Sequence, residues 1–111
     1  MSGANKTKID HHFWKTLEKD LAEIEKVIIE RPAHGVLTGC QALAHKKHGK
    51  KLSKHEAGSW GKLNLPQKFH TLIDNAMVEL AGKYEKIYWD SRELMDFAKY
   101  VINELDIIGE F

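Results

Sequence analysis

Apolar residues recur along this chain at helical spacing. Phe13, Leu17, Leu21, Ile24 and Ile28 follow one another at steps of four, four, three and four, which keeps them on one helical face. Trp14, Val27 and Ile29 widen the stripe, while Lys15, Glu18, Lys19, Glu25 and Lys26 cover the outer side. The pattern predicts a first helix from Asp10, a good N-cap, to Arg31, where Pro32 stops it. Residues 32–35 read as a break. Val36, Leu37, Cys40, Leu43 and Ala44 then predict a second helix over residues 35–47, with Gly49 as its stop. Gly39 weakens this helix by about 1 kcal/mol relative to alanine, but it also permits a neighbouring helix to come close.

Ser53 and Glu56 fit the S-x-x-E capping box, in which each side chain satisfies the other residue's backbone N–H. A short helix follows, with Ala57, Trp60 and Leu63 facing inward. Asn64-Leu65-Pro66 ends it and opens the longest predicted helix, residues 66–89, striped by Phe69, Ile73, Ala76, Leu80, Tyr84 and Ile87. A second capping signature, with Asp90 reaching Glu93, starts the last helix. That helix buries Leu94, Ala98, Val101, Leu105 and Ile108, with Phe97 and Ile102 beside them, and Gly109 closes it. No segment alternates apolar and polar residues over five positions, so no sheet is expected. The expected fold is all-α: a compact four- or five-helix bundle forming one domain over residues 10–109, after a flexible tail of residues 1–9.

Composition refines this picture. A chain of 111 residues is one domain's worth and buries enough surface to fold without a metal or disulfide. The single cysteine, Cys40, makes no internal disulfide, which fits a cytoplasmic protein. No apolar run approaches the ~18 residues that cross a membrane, and the lysines near the start have no apolar core behind them. The formal net charge of +1 hides an uneven distribution. Lys46, Lys47, Lys50, Lys51 and Lys54 crowd the middle, whereas Glu93, Asp96, Glu104, Asp106 and Glu110 dominate the end.

The lysine segment is interleaved with His45, His48 and His55 and carries the strongest local field. Its five lysines are the candidate contacts for an acidic protein partner or, in the alternative, for nucleic-acid phosphates. The segment has no arginine or aromatic residue to read bases. His45 and His48 are weak metal candidates: three apart, with a single cysteine in the chain and no Glu-x-x-His motif. No metal and no cofactor is expected. Phosphate-cradling and nucleophile-elbow motifs are absent. His70 and Asp74 lie one helical turn apart, as a carboxylate orienting an imidazole would, but also as a common surface pair does. Cys40 sits on an apolar face and reads as core. Tyr88 and Trp89, two large aromatics at a helix end, are a possible anchor for a partner.

Trp60, Ala76, Tyr84, Glu85 and Lys86 loosely resemble the second and third helices of an HMG box, which implies minor-groove DNA binding. The chain departs from that family in its near-neutral charge, in Val36-Leu37-Thr38-Gly39 where an aromatic-rich helix belongs, and in two further helices. The reading adopted is a non-enzymatic interaction or regulatory protein, such as an inhibitor, immunity-type protein or assembly subunit. Self-association is expected from the wide stripes of the first, fourth and last predicted helices.

Overall fold

The computed structural model describes residues 9–82 and 86–105. Six α-helices occupy them: α1 His11–Ala22, α2 Ile24–Glu30, α3 Pro32–His48, α4 Lys54–Asn64, α5 His70–Leu80 and α6 Ser91–Leu105. A short 3₁₀ turn, Gln67–Phe69, leads into α5. No strand occurs among the described residues, so the all-α expectation holds, with one helix more than the larger number expected.

The extra helix comes from the first predicted one. Asp10 caps α1 by accepting a hydrogen bond from the Phe13 N–H at 3.1 Å. The helix then breaks at Glu23 (φ −123°, ψ 34°), whose N–H bonds back to the Asp20 carbonyl at 3.2 Å. The bend turns Ile24 and Ile28 onto α3 and α6, and both side chains are buried. The stripe was read correctly, but its two halves serve different neighbours. The break expected over residues 32–35 is much shorter. Arg31 alone separates α2 from α3, at φ −137° and ψ 74°, and Pro32 is the first residue of α3. The residue before a proline is pushed out of the helical region, while proline itself suits a first helical turn. Pro32 therefore ends one helix and begins the next.

Helix α3 is the centre of the domain. Twelve of its residues are buried, from Ala33 to His45, including the polar Thr38 and Gln41. It packs against all five other helices, with α2 and α6 paired beside it and α4 paired with α5. A helix buried around its whole circumference has no polar face, which explains its weak amphipathic signal. Two glycines admit its neighbours. A Cβ on Gly35 would lie 2.7 Å from the Ile28 Cα, so α2 and α3 touch backbone to backbone. A Cβ on Gly39 would meet Val101 at 2.9 Å and Phe97 at 3.0 Å, which is the close approach by α6 expected from the sequence. Gly49 ends α3 in the left-handed conformation (φ 70°), also as expected.

The Ser53–Glu56 capping box forms in full. The Glu56 N–H bonds to Ser53 Oγ at 3.1 Å, and the Ser53 N–H to Glu56 Oε1 at 2.9 Å. Leu63, expected inward, is 86% exposed, and Leu65 is buried in its place. The longest predicted helix is the main misreading. It ends at Leu80, where Gly82 takes φ 76° and its N–H bonds to the Glu79 carbonyl at 3.0 Å. Residues 86–90 are not helical. Ile87 and Tyr88 continued the apolar spacing past a glycine stop, and spacing alone does not show that the helix has ended. Tyr84 lies outside the described residues, as do the tail at 1–8, Ile108 and Gly109. At α6 the Asp90 carboxylate accepts from the Arg92 N–H at 2.8 Å rather than reaching Glu93. Leu94, Phe97, Ala98, Val101 and Leu105 are buried. The Phe97 ring meets Phe69 edge-on at 5.0 Å between centroids.

Gly35→Ala places a methyl against backbone that cannot yield. It is expected to destabilise the fold by about 1–3 kcal/mol in urea unfolding. Gly39→Ala meets the buried Val101 and Phe97 side chains rather than backbone, so it is also expected to destabilise, but by less than Gly35→Ala because side chains can give way and helix propensity offsets part of the cost. Equal stability of Gly35→Ala and the parent would contradict the described contact.

Candidate functional site

The lysine segment is partly engaged within the fold. Lys46 Nζ donates to the Leu105 carbonyl at 3.1 Å, and Lys47 pairs with Glu104. These two bonds tie the C-terminal end of α6 to that of α3. Lys51 pairs with Asp10 at 2.8 Å and ties the loop after α3 to the start of α1. Lys50 is exposed, and Lys54, the first residue of α4, lies elsewhere. Three of the five lysines are thus intramolecular staples, and the segment is not one solvated patch.

His45 explains the arrangement. It is 1% exposed, yet both ring nitrogens are used. Its Nε2 accepts from the Asp10 N–H at 2.9 Å, so the proton sits on Nδ1, which donates to the Lys50 carbonyl at 3.2 Å. The Phe13 and Trp14 rings close over it at 4.9 and 6.1 Å between centroids. His48 Nδ1 accepts from the Trp60 indole N–H at 3.0 Å. The two weak metal candidates therefore make separate structural bonds. Among the described residues, no group of three or more His, Cys, Asp or Glu is arranged to hold a metal ion.

The remaining candidates also separate. His70 Nε2 donates to the Leu65 carbonyl at 2.9 Å, whereas Asp74 pairs with Lys62. Trp89 packs against the core, and its indole N–H donates to Glu79 at 3.2 Å, while Tyr88 is 84% exposed. The aromatic pair is divided between packing and solvent. Cys40 is fully buried, and burial pushes its thiol up to about 12, so it stays protonated and inert.

A further opening lies where no sequence motif pointed. A cleft of about 610 Å³ gathers Glu30 and Arg31 from the α2–α3 corner, the first turn of α3, Lys54 from the start of α4, and Glu79 and Leu80 from the end of α5. The first residues of α3 and α4 line it; Pro32 has no N–H and the Ser53–Glu56 box satisfies the Glu56 N–H, so the remaining first-turn amides, such as those of Ala33, His34 and Lys54, are the ones that favour negative charge. Arg31 and Lys54 add full positive charges, and neither side chain has a hydrogen-bond or ion-pair partner among the described residues. Glu30 also lacks one. His34 lines the same cleft and is held by Asp20, with Nε2 at 2.7 Å from Oδ2. The sequence marked the start of α4 through the Ser53–Glu56 box, but it read Pro32 as a stop and placed the start of the next helix at Gly35. Nothing in it showed that the two starts converge, or that Glu79 joins them.

Fold and cleft together define an all-helical domain with an open, two-signed charged site at converging helix starts. Over residues 8–104 the chain matches the family described as aminoglycoside adenylyltransferase, C-terminal domain. The match spans most of the chain, and the chain belongs to that family. No curated protein and no solved structure shows a significant match to it. Membership corrects the expectation of a non-enzymatic interaction or regulatory protein, and the nucleic-acid alternative with it, because the family describes a domain of a nucleotidyl-transferring enzyme class. It gives the HMG-box resemblance no support. No helix among the described residues is long and apolar enough to cross a membrane.

Two outcomes follow from these placements. The Lys51 ammonium first, and the Phe13 N–H next, hold the Asp10 carboxyl down to about 2. A depressed carboxyl stabilises the fold fully above its unfolded value and loses that effect as pH falls through the folded one. Asp10→Asn keeps a capping oxygen but loses the charge. Its destabilisation in urea unfolding is expected near neutral pH and should shrink between about pH 4 and about pH 2; a penalty that grows in acid contradicts the pairing. Cys40 should resist a thiol-disulfide reagent in the folded protein and react fully in urea, whereas free-cysteine rates in the native state would show the thiol to be accessible.

Proposed function

We propose that this domain forms the reactant-binding wall of a nucleotidyl-transfer site, and that its cleft holds the charged reactants of aminoglycoside adenylylation. One observation carries this reading: charged side chains of both signs, among them Arg31, Lys54 and Glu30 without a hydrogen-bond or ion-pair partner among the described residues, stand together where two helices begin. Lys54 and Arg31, backed by the free amides of α3 and α4, suit the phosphates of a nucleoside triphosphate. Glu30 and Glu79 suit the ammonium groups of an aminoglycoside. In adenylylation a substrate hydroxyl attacks the α-phosphorus in line, and the bond to the departing pyrophosphate breaks. That step needs the two reactants held close and aligned, and it needs charge stabilised on the leaving oxygens. The share assigned to this domain is binding and alignment, exercised together with a nucleotidyl-transfer domain.

Magnesium ATP and streptomycin, titrated separately into the ¹⁵N-labelled chain, are expected to move the backbone amides of residues 31, 33, 34 and 54. Lys54→Glu should weaken ATP binding by about tenfold or more, because a charge-assisted contact is replaced by repulsion. Glu30→Gln with Glu79→Gln should weaken streptomycin instead. Shifts confined to other faces, or a Lys54→Glu protein that binds ATP like the parent, would refute the assignment.

A further inference from the structure

Asp20 and His34 form a carboxylate–imidazole pair that joins α1 to the first turn of α3. Both side chains are partly buried, at 27% and 22% exposure, and Nε2 lies 2.7 Å from Oδ2. An ionised carboxylate only accepts, so the bonded Nε2 must carry the proton. In the neutral ring Nδ1 is then a bare acceptor, and it has no partner among the described residues. His34 lines the cleft, whereas Asp20 touches His34 and not the opening.

We infer that Asp20 is a positioning residue that fixes His34 in the Nε2–H form, so that Nδ1 accepts a hydrogen bond from a hydroxyl or amino group of the molecule in the cleft. The inference rests on the cleft reading above and adds a specificity element to it. Arg31 and Lys54 offer only donors and Glu30 and Glu79 only acceptors, all of them charged. His34 supplies a neutral acceptor on a ring whose orientation is locked. Such a group recognises a sugar hydroxyl or amine and gives no such bond to a phosphate oxygen. The donor has two sources, the aminoglycoside rings or the ribose and base of the nucleotide, and separate titrations distinguish them.

Long-range ¹H–¹⁵N spectra of the 111-residue chain at neutral pH test the pair directly. His34 should show the Nε2–H tautomer, and Asp20→Ala should convert it to a mixture while the fold persists by circular dichroism. Streptomycin or ATP, whichever supplies the donor, should shift the Nδ1 resonance. His34→Gln keeps a donor for Asp20 but has no acceptor at the δ position, and should weaken that ligand by about tenfold. His34→Asn, with a carbonyl oxygen near the δ position, should retain more affinity than His34→Gln. A doubly protonated or Nδ1–H ring in the parent overturns the inference. So does a His34→Gln protein that binds normally while Lys54→Glu does not, an outcome that leaves the cleft reading standing. If neither ligand moves any cleft residue, both readings fall.

Discussion

Burial of α3 around its circumference, from Ala33 to His45, is the constraint on which the other elements depend. With twelve of its residues withdrawn from water, every neighbouring helix must find room against it. Backbone contact at Gly35 brings α2 alongside immediately after the Arg31 corner, and Gly39 lets the Phe97 and Val101 side chains of α6 sit against α3. Larger residues at these points would push the outer helices away and open voids that a core packed at crystal density does not tolerate. The bend at Glu23 is part of the same solution, because a straight α1–α2 rod could not follow both α3 and α6.

The two ends of α3 have different fates. Its C-terminal end is tied down by side-chain bonds, beside an opening of about 350 Å³ lined by Asp10, His45 and Lys51. His45, Lys46, Lys47 and His48 occupy the last turn, where the helix dipole favours the charges of the two lysines. The same residues reach out to hold the start of α1, the end of α6 and the Trp60 indole. Its N-terminal end is open. There the helix start meets that of α4, and the charged side chains around them have few partners. The lysine-rich stretch drew attention in the sequence because its charges are dense, and in the fold Lys46, Lys47 and Lys51 each bond to another part of the chain.

This asymmetry also clarifies the histidines. His45, His48 and His34 lie on one helix and look alike as sequence. Neighbours assign His45 to latching the first helix, His48 to receiving the Trp60 indole proton, and His34 to the cleft with Asp20 behind it. Imidazole chemistry depends on which nitrogen carries the proton, and that depends on partners brought in from distant parts of the chain.

Local rules were sufficient for much of the fold. Asp10, the Ser53–Glu56 box and Gly49 act within one turn of their own position, so their roles followed from the sequence. The same holds for the buried stripes of α1, α2 and α6, whose amphipathic period reports a single wet face. The sequence was less informative where a helix has no wet face, as in α3, or where apolar spacing runs on past a stop, as at Gly82. The cleft was not legible at all. Its residues come from positions 30–34, 54 and 79–80, and taken alone none of them carries a motif. Only packing around α3 brings them together, because a site built at the meeting of several helix ends is a property of how rods cross, which no periodicity along one rod encodes.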